Sequence, residues 1–179
     1  MPTSSDPSQR RNSVQRNPCA VENNKVEFAV VKLLAAKNKT LALAESCTGG
    51  CIANRITDVP GASEIFLGGV VCYANSAKEK FLGVSAETLQ HHGAVSEAVA
   101  REMAVGAREK FGADFGLAVT GIAGPSGGTA EKPVGTVFIA LASASGVEVK
   151  KFFHPCDRAT FKQLTATQAL EWLRQTLSA

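Results

Sequence analysis

Apolar positions along the chain follow two alternating patterns, one typical of helices and one typical of buried strands. Apolar side chains recur at helical spacing from Val26 to Ala36, and the run Leu41 to Ala44 that follows is apolar throughout. The alternation returns in a helical stretch that begins at Cys51 and in an apolar run from Ile65 to Tyr73. These segments predict two helices, each followed by an interior β-strand.

Polar residues mark where the next helices should begin. Ser76 stands three residues before Glu79, which is the spacing of a capping box, and it predicts a helix that starts there. Ser85 and Ser96 are further N-cap candidates, and the second predicts a helix that continues to about Lys110.

The last third of the chain has more strand character. Phe115 to Val119 predicts a third strand, Val134 to Ala142 and Val147 to Phe153 predict a hairpin, and Asp157 is expected to cap a final helix. The apolar stripe of that helix comprises Phe161, Leu164, Leu170, Leu173 and Leu177.

Strands that alternate with helices and end in one hairpin predict an α/β protein. We expect a three-layer α/β/α sandwich around a mixed, mostly parallel central sheet. Ligands of such sheets bind where loops leave the carboxyl ends of the strands. Three loops have this position, namely those that follow Ala44, Tyr73 and Thr120.

Composition and charge narrow the function classes. The 179 residues suit one domain, which we place at residues 23–179, and the polar residues 1–22 are expected to form a flexible tail. The chain has 19 basic and 16 acidic residues. Residues 1–21 hold three of the basic residues and one of the acidic ones. The remainder therefore lacks the positive excess that nucleic-acid binding needs. No apolar run approaches the roughly 18 residues of a membrane span.

The turn of sequence AESCTGG, residues 44–50, carries the first candidate for chemistry. It places the Ser46 hydroxyl between a predicted strand and a predicted helix, where it is either a nucleophile or a helix cap. Two glycines let the backbone bend, and the first helical N–H groups are expected to stay unpaired and to face an oxyanion. The predicted binding residues of this turn are Thr48, Gly49 and Gly50.

Lys78 is a candidate base for Ser46. A triad of Ser46 with a histidine and an acidic residue is the alternative, although none of the three histidines has an acidic partner that is evident from the sequence. Lys78 lies near the second position of a predicted helix, where the helix dipole and burial would lower its pKa from about 10.4. A solvated lysine on a helix face is the alternative. Tyr73 and Asn75 would orient substrate or share a proton with it, unless they only pack at a strand end.

The segment from Thr120 to Gly128 is too rich in glycine for an ordinary connection. Its N–H groups would approach an anion closely, as in phosphate-binding nests, and a flexible hinge is the alternative. It matches neither a dinucleotide fingerprint nor a Walker loop. Arg158 is a candidate phosphate ligand or a surface ion-pair partner. The predicted binding residues of the segment are Thr120, Gly121, Gly124, Gly127 and Gly128.

The five cysteines show no paired spacing, and no secretory signal is present, which predicts reduced thiols in a cytoplasmic protein. Cys47 is an alternative nucleophile, whose pKa a helix N-terminus would lower. A metal site of Cys47 and Cys51 with His154 and Cys156 is disfavoured, because such sites normally have tighter paired spacing. We predict no metal and no cofactor.

Six segments taken together resemble the C-terminal domain of the competence/damage-inducible CinA family, including its stand-alone PncC form, a nicotinamide-nucleotide amidohydrolase. The resemblance covers roughly residues 24–177. The segments are AESCTGG, Tyr73-x-Asn75-x-x-Lys78, residues 92–96, residues 120–128, residues 132–137 and residues 153–158.

This resemblance implies hydrolysis of the carboxamide of nicotinamide mononucleotide (NMN) to nicotinate mononucleotide and ammonia, in pyridine nucleotide recycling. It implies Ser46 as nucleophile, Lys78 as general base and Tyr73 as an assisting residue. Together with apolar strand edges, it favours a homodimer. Cys156 departs from the family, which usually has glycine there, and this affects the loop that leads to Arg158. A non-catalytic nucleotide-binding module is the alternative function.

Overall fold

Five strands form one sheet at the centre of the structure, a computed structural model that describes residues 25–179. They are β1 (Leu41–Glu45), β2 (Phe66–Val71), β3 (Phe115–Gly121), β4 (Thr136–Ser143) and β5 (Gly146–Phe153). Their order in space is β2-β1-β3-β4-β5. β1 is parallel to both β2 and β3, whereas β4 is antiparallel to β3 and β5. Four of the five strands therefore run in the same direction.

Helices cover both faces of this sheet. They are α1 (Val26–Ala36), α2 (Cys51–Thr57), α3 (Asn75–Leu82), α4 (Ala86–His92), α5 (Glu97–Phe111) and α6 (Arg158–Ser178). The apolar side chains of α1, α2 and α6 form one core against the sheet, and those of α3, α4 and α5 form a second core on the opposite face. The predicted three-layer α/β/α sandwich with a mixed sheet is confirmed.

Local signals fix several helix starts as predicted. The Ser85 hydroxyl accepts hydrogen bonds from the first turn of α4, and the Ser96 hydroxyl accepts one from Val99 in α5. The Asp157 carboxylate accepts hydrogen bonds from two N–H groups of α6. These caps satisfy donors that a helix end would otherwise leave unpaired.

The predicted capping box at Ser76 is wrong. The N-cap of α3 is Ala74, so Ser76 is the second residue of the helix and Lys78 the fourth. The Lys78 side chain donates hydrogen bonds to the carbonyls of Cys72 and Tyr73, which lie just before the helix. These contacts, together with the burial of Lys78, favour an earlier helix start than a cap at Ser76 would give.

The predicted interior position of the second strand is also wrong. β2 pairs only with β1 and is an edge strand, in which Leu67 and Val71 are exposed. Leu164 on α6 is exposed too, although it was placed in the apolar stripe. Apolar character alone does not reveal which strand has no further neighbour. The homodimer stays a prediction.

The predicted tail at residues 1–22 lies outside the described residues. None of the helices between residues 25 and 179 has the length and apolar character needed to cross a membrane.

Candidate active site

Three parallel strand ends meet at one edge of the sheet and enclose a cavity of about 240 Å³. Ser46 follows β1, Tyr73 comes two residues after β2, and Thr120 and Gly121 end β3. Because these strands are parallel neighbours in the order β2-β1-β3, their carboxyl ends open on the same side. We call this space the Ser46 cavity.

Most residues that the sequence predicted for the site do line the Ser46 cavity. Lys78 and Arg158 join Ser46 and Tyr73 there. The predicted loop residues that line it are Thr120, Gly121, Gly124 and Gly127, and those predicted residues that do not line it are Thr48, Gly49, Gly50, Asn75 and Gly128. Ala94 and Val95, from the loop between α4 and α5, also line the cavity and were not predicted, and Cys47 lines it too, although it was predicted only as an alternative nucleophile.

Glu45 organises the turn that carries Ser46, and sequence analysis did not identify it. Its buried carboxylate accepts hydrogen bonds from the Thr48 hydroxyl at 2.6 Å and from the N–H groups of Gly50, Ile52 and Ala53 at 3.0, 3.2 and 2.8 Å. A carboxylate at the end of an apolar strand, five residues before the second glycine, was the available signal. This side chain neutralises the N-terminus of α2 and fixes the turn.

The prediction that the turn leaves its N–H groups free for an oxyanion is therefore wrong for two of its residues. The N–H of Gly50 is bound to Glu45, and the N–H of Gly49 donates to the Ser46 carbonyl at 3.2 Å. The N–H of Cys47, the residue after Ser46, donates no hydrogen bond within residues 25–179. Cys47 also lines the Ser46 cavity, so its N–H is the better placed donor.

Lys78 is the largest of the fully buried side chains in the described residues, with 1% of its surface exposed. Its Nζ donates to the carbonyl of Cys72 at 2.9 Å and to that of Tyr73 at 3.3 Å. Burial lowers the pKa of the Lys78 ammonium, while the nearby thiols of Cys72 and Cys47 and the Tyr73 phenol oppose that change. Desolvation disfavours the charged form, which is what a general base near neutral pH needs.

The two carbonyl contacts also suit the neutral amine. An uncharged amine has two N–H donors and one lone pair, and the carbonyls of Cys72 and Tyr73 accept from Nζ. The lone pair is then left for a third group. Ser46 lines the same cavity as Lys78 and carries a proton that such a lone pair can accept.

Cys47 does not have the properties of a thiolate nucleophile. Burial raises the pKa of the Cys47 thiol to about 12, so the thiol is protonated at neutral pH. The prediction that the helix N-terminus would lower this pKa is wrong, because the loss of water outweighs the N–H groups near the sulfur. Within residues 25–179, no three His, Cys, Asp or Glu side chains form a group that could hold a metal ion.

Arg158, the first residue of α6, crosses one side of the Ser46 cavity. Its Nη2 donates to the Tyr73 hydroxyl at 2.7 Å, and its Nη1 donates to the Gly124 carbonyl at 3.0 Å. The guanidinium thus connects the loop after β2 with the glycine-rich loop. Cys156, where the chain departs from the family pattern, donates its thiol to the His154 carbonyl at 3.5 Å, and Arg158 still reaches the cavity.

The glycine-rich loop is shaped by close packing. A Cβ at Gly124 would lie 2.5 Å from the Val134 side chain, and one at Gly128 would lie 2.7 Å from the Val134 backbone nitrogen. The Thr120 hydroxyl donates to the Ala94 carbonyl at 2.7 Å and ties β3 to the loop before α5. These contacts hold the loop as a wall of the Ser46 cavity.

Residues 23–177 match the family model described as the CinA C-terminal domain. The chain belongs to the CinA family. The predicted resemblance is thereby confirmed.

Curated relatives in the CinA family are longer than this chain. A CinA-like protein from Geobacter sulfurreducens is 54% identical over 155 residues, which is 87% of this chain and 38% of that protein. A CinA-like protein from Geotalea uraniireducens is 49% identical over 158 residues, which is 88% of this chain and 38% of that protein. The chain therefore spans about two-fifths of the length of the curated relatives it matches.

Solved structures of the CinA family share the fold. The competence/damage inducible protein CihA from Agrobacterium tumefaciens is 40% identical with a TM-score of 0.81, and the match covers 86% of this chain and 96% of that one. A CinA superfamily protein from Klebsiella pneumoniae is 34% identical with a TM-score of 0.83, and the match covers 86% of this chain and 96% of that one.

Proposed function

We propose that this CinA domain hydrolyses the carboxamide of NMN to nicotinate mononucleotide and ammonia, as part of cytoplasmic pyridine nucleotide recycling. The observation that carries the proposal is the placement of the Ser46 hydroxyl and the buried Lys78 amine on one small cavity, with the pKa of Lys78 lowered by burial. A serine and a neutral lysine form a nucleophile and base pair that needs no metal ion.

In the proposed reaction, the neutral amine of Lys78 takes the proton of Ser46 Oγ, which attacks the carboxamide carbon. The N–H of Cys47 stabilises the oxyanion of the tetrahedral intermediate. As the intermediate collapses, the C–N bond breaks and the Lys78 ammonium donates its proton to the departing amide nitrogen, which is released as ammonia. Neutral Lys78 then deprotonates a water molecule, which attacks the acyl-enzyme. The ester C–O bond breaks, the Lys78 ammonium returns its proton to Ser46 Oγ, and the carboxylic acid is released.

Tyr73 and Arg158 support the proposal as residues that orient the nucleotide. Their hydrogen bond at 2.7 Å holds the phenol at the rim of the Ser46 cavity, where it would contact the substrate. Thr120 and the glycine-rich loop also line this cavity. Asn75, at the exposed start of α3, does not line the cavity, and its role in substrate binding stays a prediction.

The decisive experiment replaces the proposed nucleophile. Ser46→Ala should lower kcat for ammonia release by about a thousandfold or more, since nucleophile and base act as a unit. The measurement is mass-spectrometric detection of nicotinate mononucleotide with an ammonia assay, and Ser76→Ala on the exposed face of α3 is the matched control. Cys47→Ala should keep most of the activity, because the backbone N–H remains.

Near wild-type ammonia release by Ser46→Ala would remove this serine from the mechanism. If NMN raises the melting temperature of the wild-type protein but no ammonia forms between pH 6 and 9, the chain is a nucleotide-binding module instead.

A further inference from the structure

A second cavity, of about 680 Å³, lies next to the Ser46 cavity and shares Arg158 with it. One wall is the turn and first residues around α2, including Gly49, Gly50 and Asn54, and the other is the first two turns of α6, including Lys162. Two of the three predicted glycines that do not line the Ser46 cavity, Gly49 and Gly50, therefore line its neighbour. We call this space the α2–α6 cavity.

The α2–α6 cavity is lined by cationic and amide side chains and by no carboxylate among residues 25–179. Lys162 follows Arg158 by one helical turn, and a Cβ at Gly49 would lie 3.5 Å from its Nζ. Within the same residues Lys162 makes no ion pair and no hydrogen bond. A half-buried ammonium with no acceptor, one turn from a guanidinium, is a site for an anion.

The carboxylates of Asp157 and Glu45, which adjoin the two walls in sequence, are occupied elsewhere. Asp157 accepts hydrogen bonds from the first turn of α6, and Glu45 lies buried behind the turn, where it accepts four hydrogen bonds. Neither side chain lines the cavity. The positive charge of Lys162 and Arg158 is therefore available to a molecule that enters there.

Size supports the same conclusion. Pockets that enclose a small organic ligand usually measure about 300–1,000 Å³. The Ser46 cavity, at about 240 Å³, is below that range, whereas the two adjoining cavities together fall within it. A nucleotide with its reacting amide at Ser46 would extend beyond the Ser46 cavity, and the α2–α6 cavity beside Arg158 offers the space.

We propose that Lys162 and Arg158 form a subsite for the phosphate monoester of the substrate, so that the nucleotide lies across both cavities. This proposal rests on the proposed function for the identity of the substrate. It keeps Arg158, which the sequence suggested as a phosphate ligand, and replaces the glycine-rich loop with Lys162. The loop turns the Gly124 carbonyl toward Arg158 and packs Gly124 and Gly128 against Val134.

The test compares NMN with nicotinamide riboside, which carries the same carboxamide and no phosphate. Lys162→Gln should reduce the ratio of kcat/KM for NMN to kcat/KM for the riboside about tenfold, through KM for NMN, as expected for one charge-assisted hydrogen bond. Lys37→Gln, an exposed lysine at the end of α1, is the matched control and should keep the wild-type ratio.

An unchanged ratio in Lys162→Gln, or an equal loss for both compounds, would overturn the subsite. A binding measurement separates this result from failure of the proposed function. In the Ser46→Ala background, calorimetry should show about tenfold weaker NMN binding when Lys162→Gln is added, and inorganic phosphate should compete with NMN only while Lys162 is present. If wild-type protein hydrolyses neither compound, the proposed function fails, and equal NMN affinity with and without Lys162 would then overturn the subsite independently.

Discussion

At the scale of single residues, the burial of Lys78 links catalysis to pH. A proton on Nζ blocks the proposed base, and burial lowers the pKa at which that proton is lost. The folded protein thus binds fewer protons than the unfolded chain between this lowered pKa and about 10.4. Across that window the free energy of unfolding rises with pH, because unfolding takes up a proton.

The pH profile of the reaction tests this account. We expect kcat/KM for NMN to fall as pH decreases through the lowered pKa of Lys78, and this acidic limb should lie clearly below about 10.4, the pKa of an ordinary lysine. The matched variant, Lys78→Met, should be inactive, and its free energy of unfolding should rise less with pH than that of wild type. A limb centred near the ordinary lysine pKa, or identical stability profiles, would contradict the assignment.

The parts of the site that the sequence could not predict are those that depend on partners far along the chain. Ser46, Lys78 and Arg158 were predicted, because each follows a recognisable turn or helix start. Glu45 and Lys162 were not, since the role of each depends on which backbone the fold brings beside it. The hydrogen bond between Tyr73 and Arg158 joins residues 85 positions apart and leaves no local signal.

At the scale of elements, prediction succeeded where local signals and tertiary packing agree. The bounds of α1 follow from helical spacing of apolar residues alone, and Ser85 and Ser96 cap the helices they were predicted to cap. It failed at Ser76, where the buried Lys78 sets the helix start, and for β2, whose edge position depends on strand order.

The contact between α3 and α5 gives a prediction at this scale. A Cβ at Gly106, inside α5, would overlap the backbone carbonyl of Leu82 at the end of α3. Alanine is better than glycine in a helix by about 1 kcal/mol, whereas overpacking against a fixed backbone costs about 1–3 kcal/mol or more. We therefore expect Gly106→Ala to lower the free energy of unfolding, as measured in urea.

The exposed Glu109 of the same helix provides the comparison, because Glu109→Ala changes no buried contact and should stay within about 0.5 kcal/mol of wild type. Stabilisation by Gly106→Ala would mean that α3 and α5 can separate without cost. Loss of stability would show that the close approach of the two helices needs a residue without a side chain.

At the scale of the whole molecule, the Arg55 side chain joins the three helices on the α6 side of the sheet. Arg55 of α2 donates to Glu27 of α1 at 2.6 Å and to the Thr167 hydroxyl of α6 at 2.8 Å. The two charged side chains are mostly buried, at 16% and 6% exposed. Because α2 and α6 form the walls of the α2–α6 cavity, this contact also fixes the width of the proposed phosphate subsite.

Removal of one partner should therefore affect both stability and binding. Glu27→Ala leaves the Arg55 guanidinium mostly buried without its carboxylate, which costs about 3–5 kcal/mol in comparable sites. The exposed pair of Glu97 and Arg101 is the matched control, and Glu97→Ala should cost at most about 1 kcal/mol. Urea unfolding measures both losses.

At a temperature where Glu27→Ala is still folded, KM for NMN should rise while KM for nicotinamide riboside changes less, because the riboside does not reach the α6 wall. Equal costs for the two glutamates would show that Arg55 does not hold α1, α2 and α6 together.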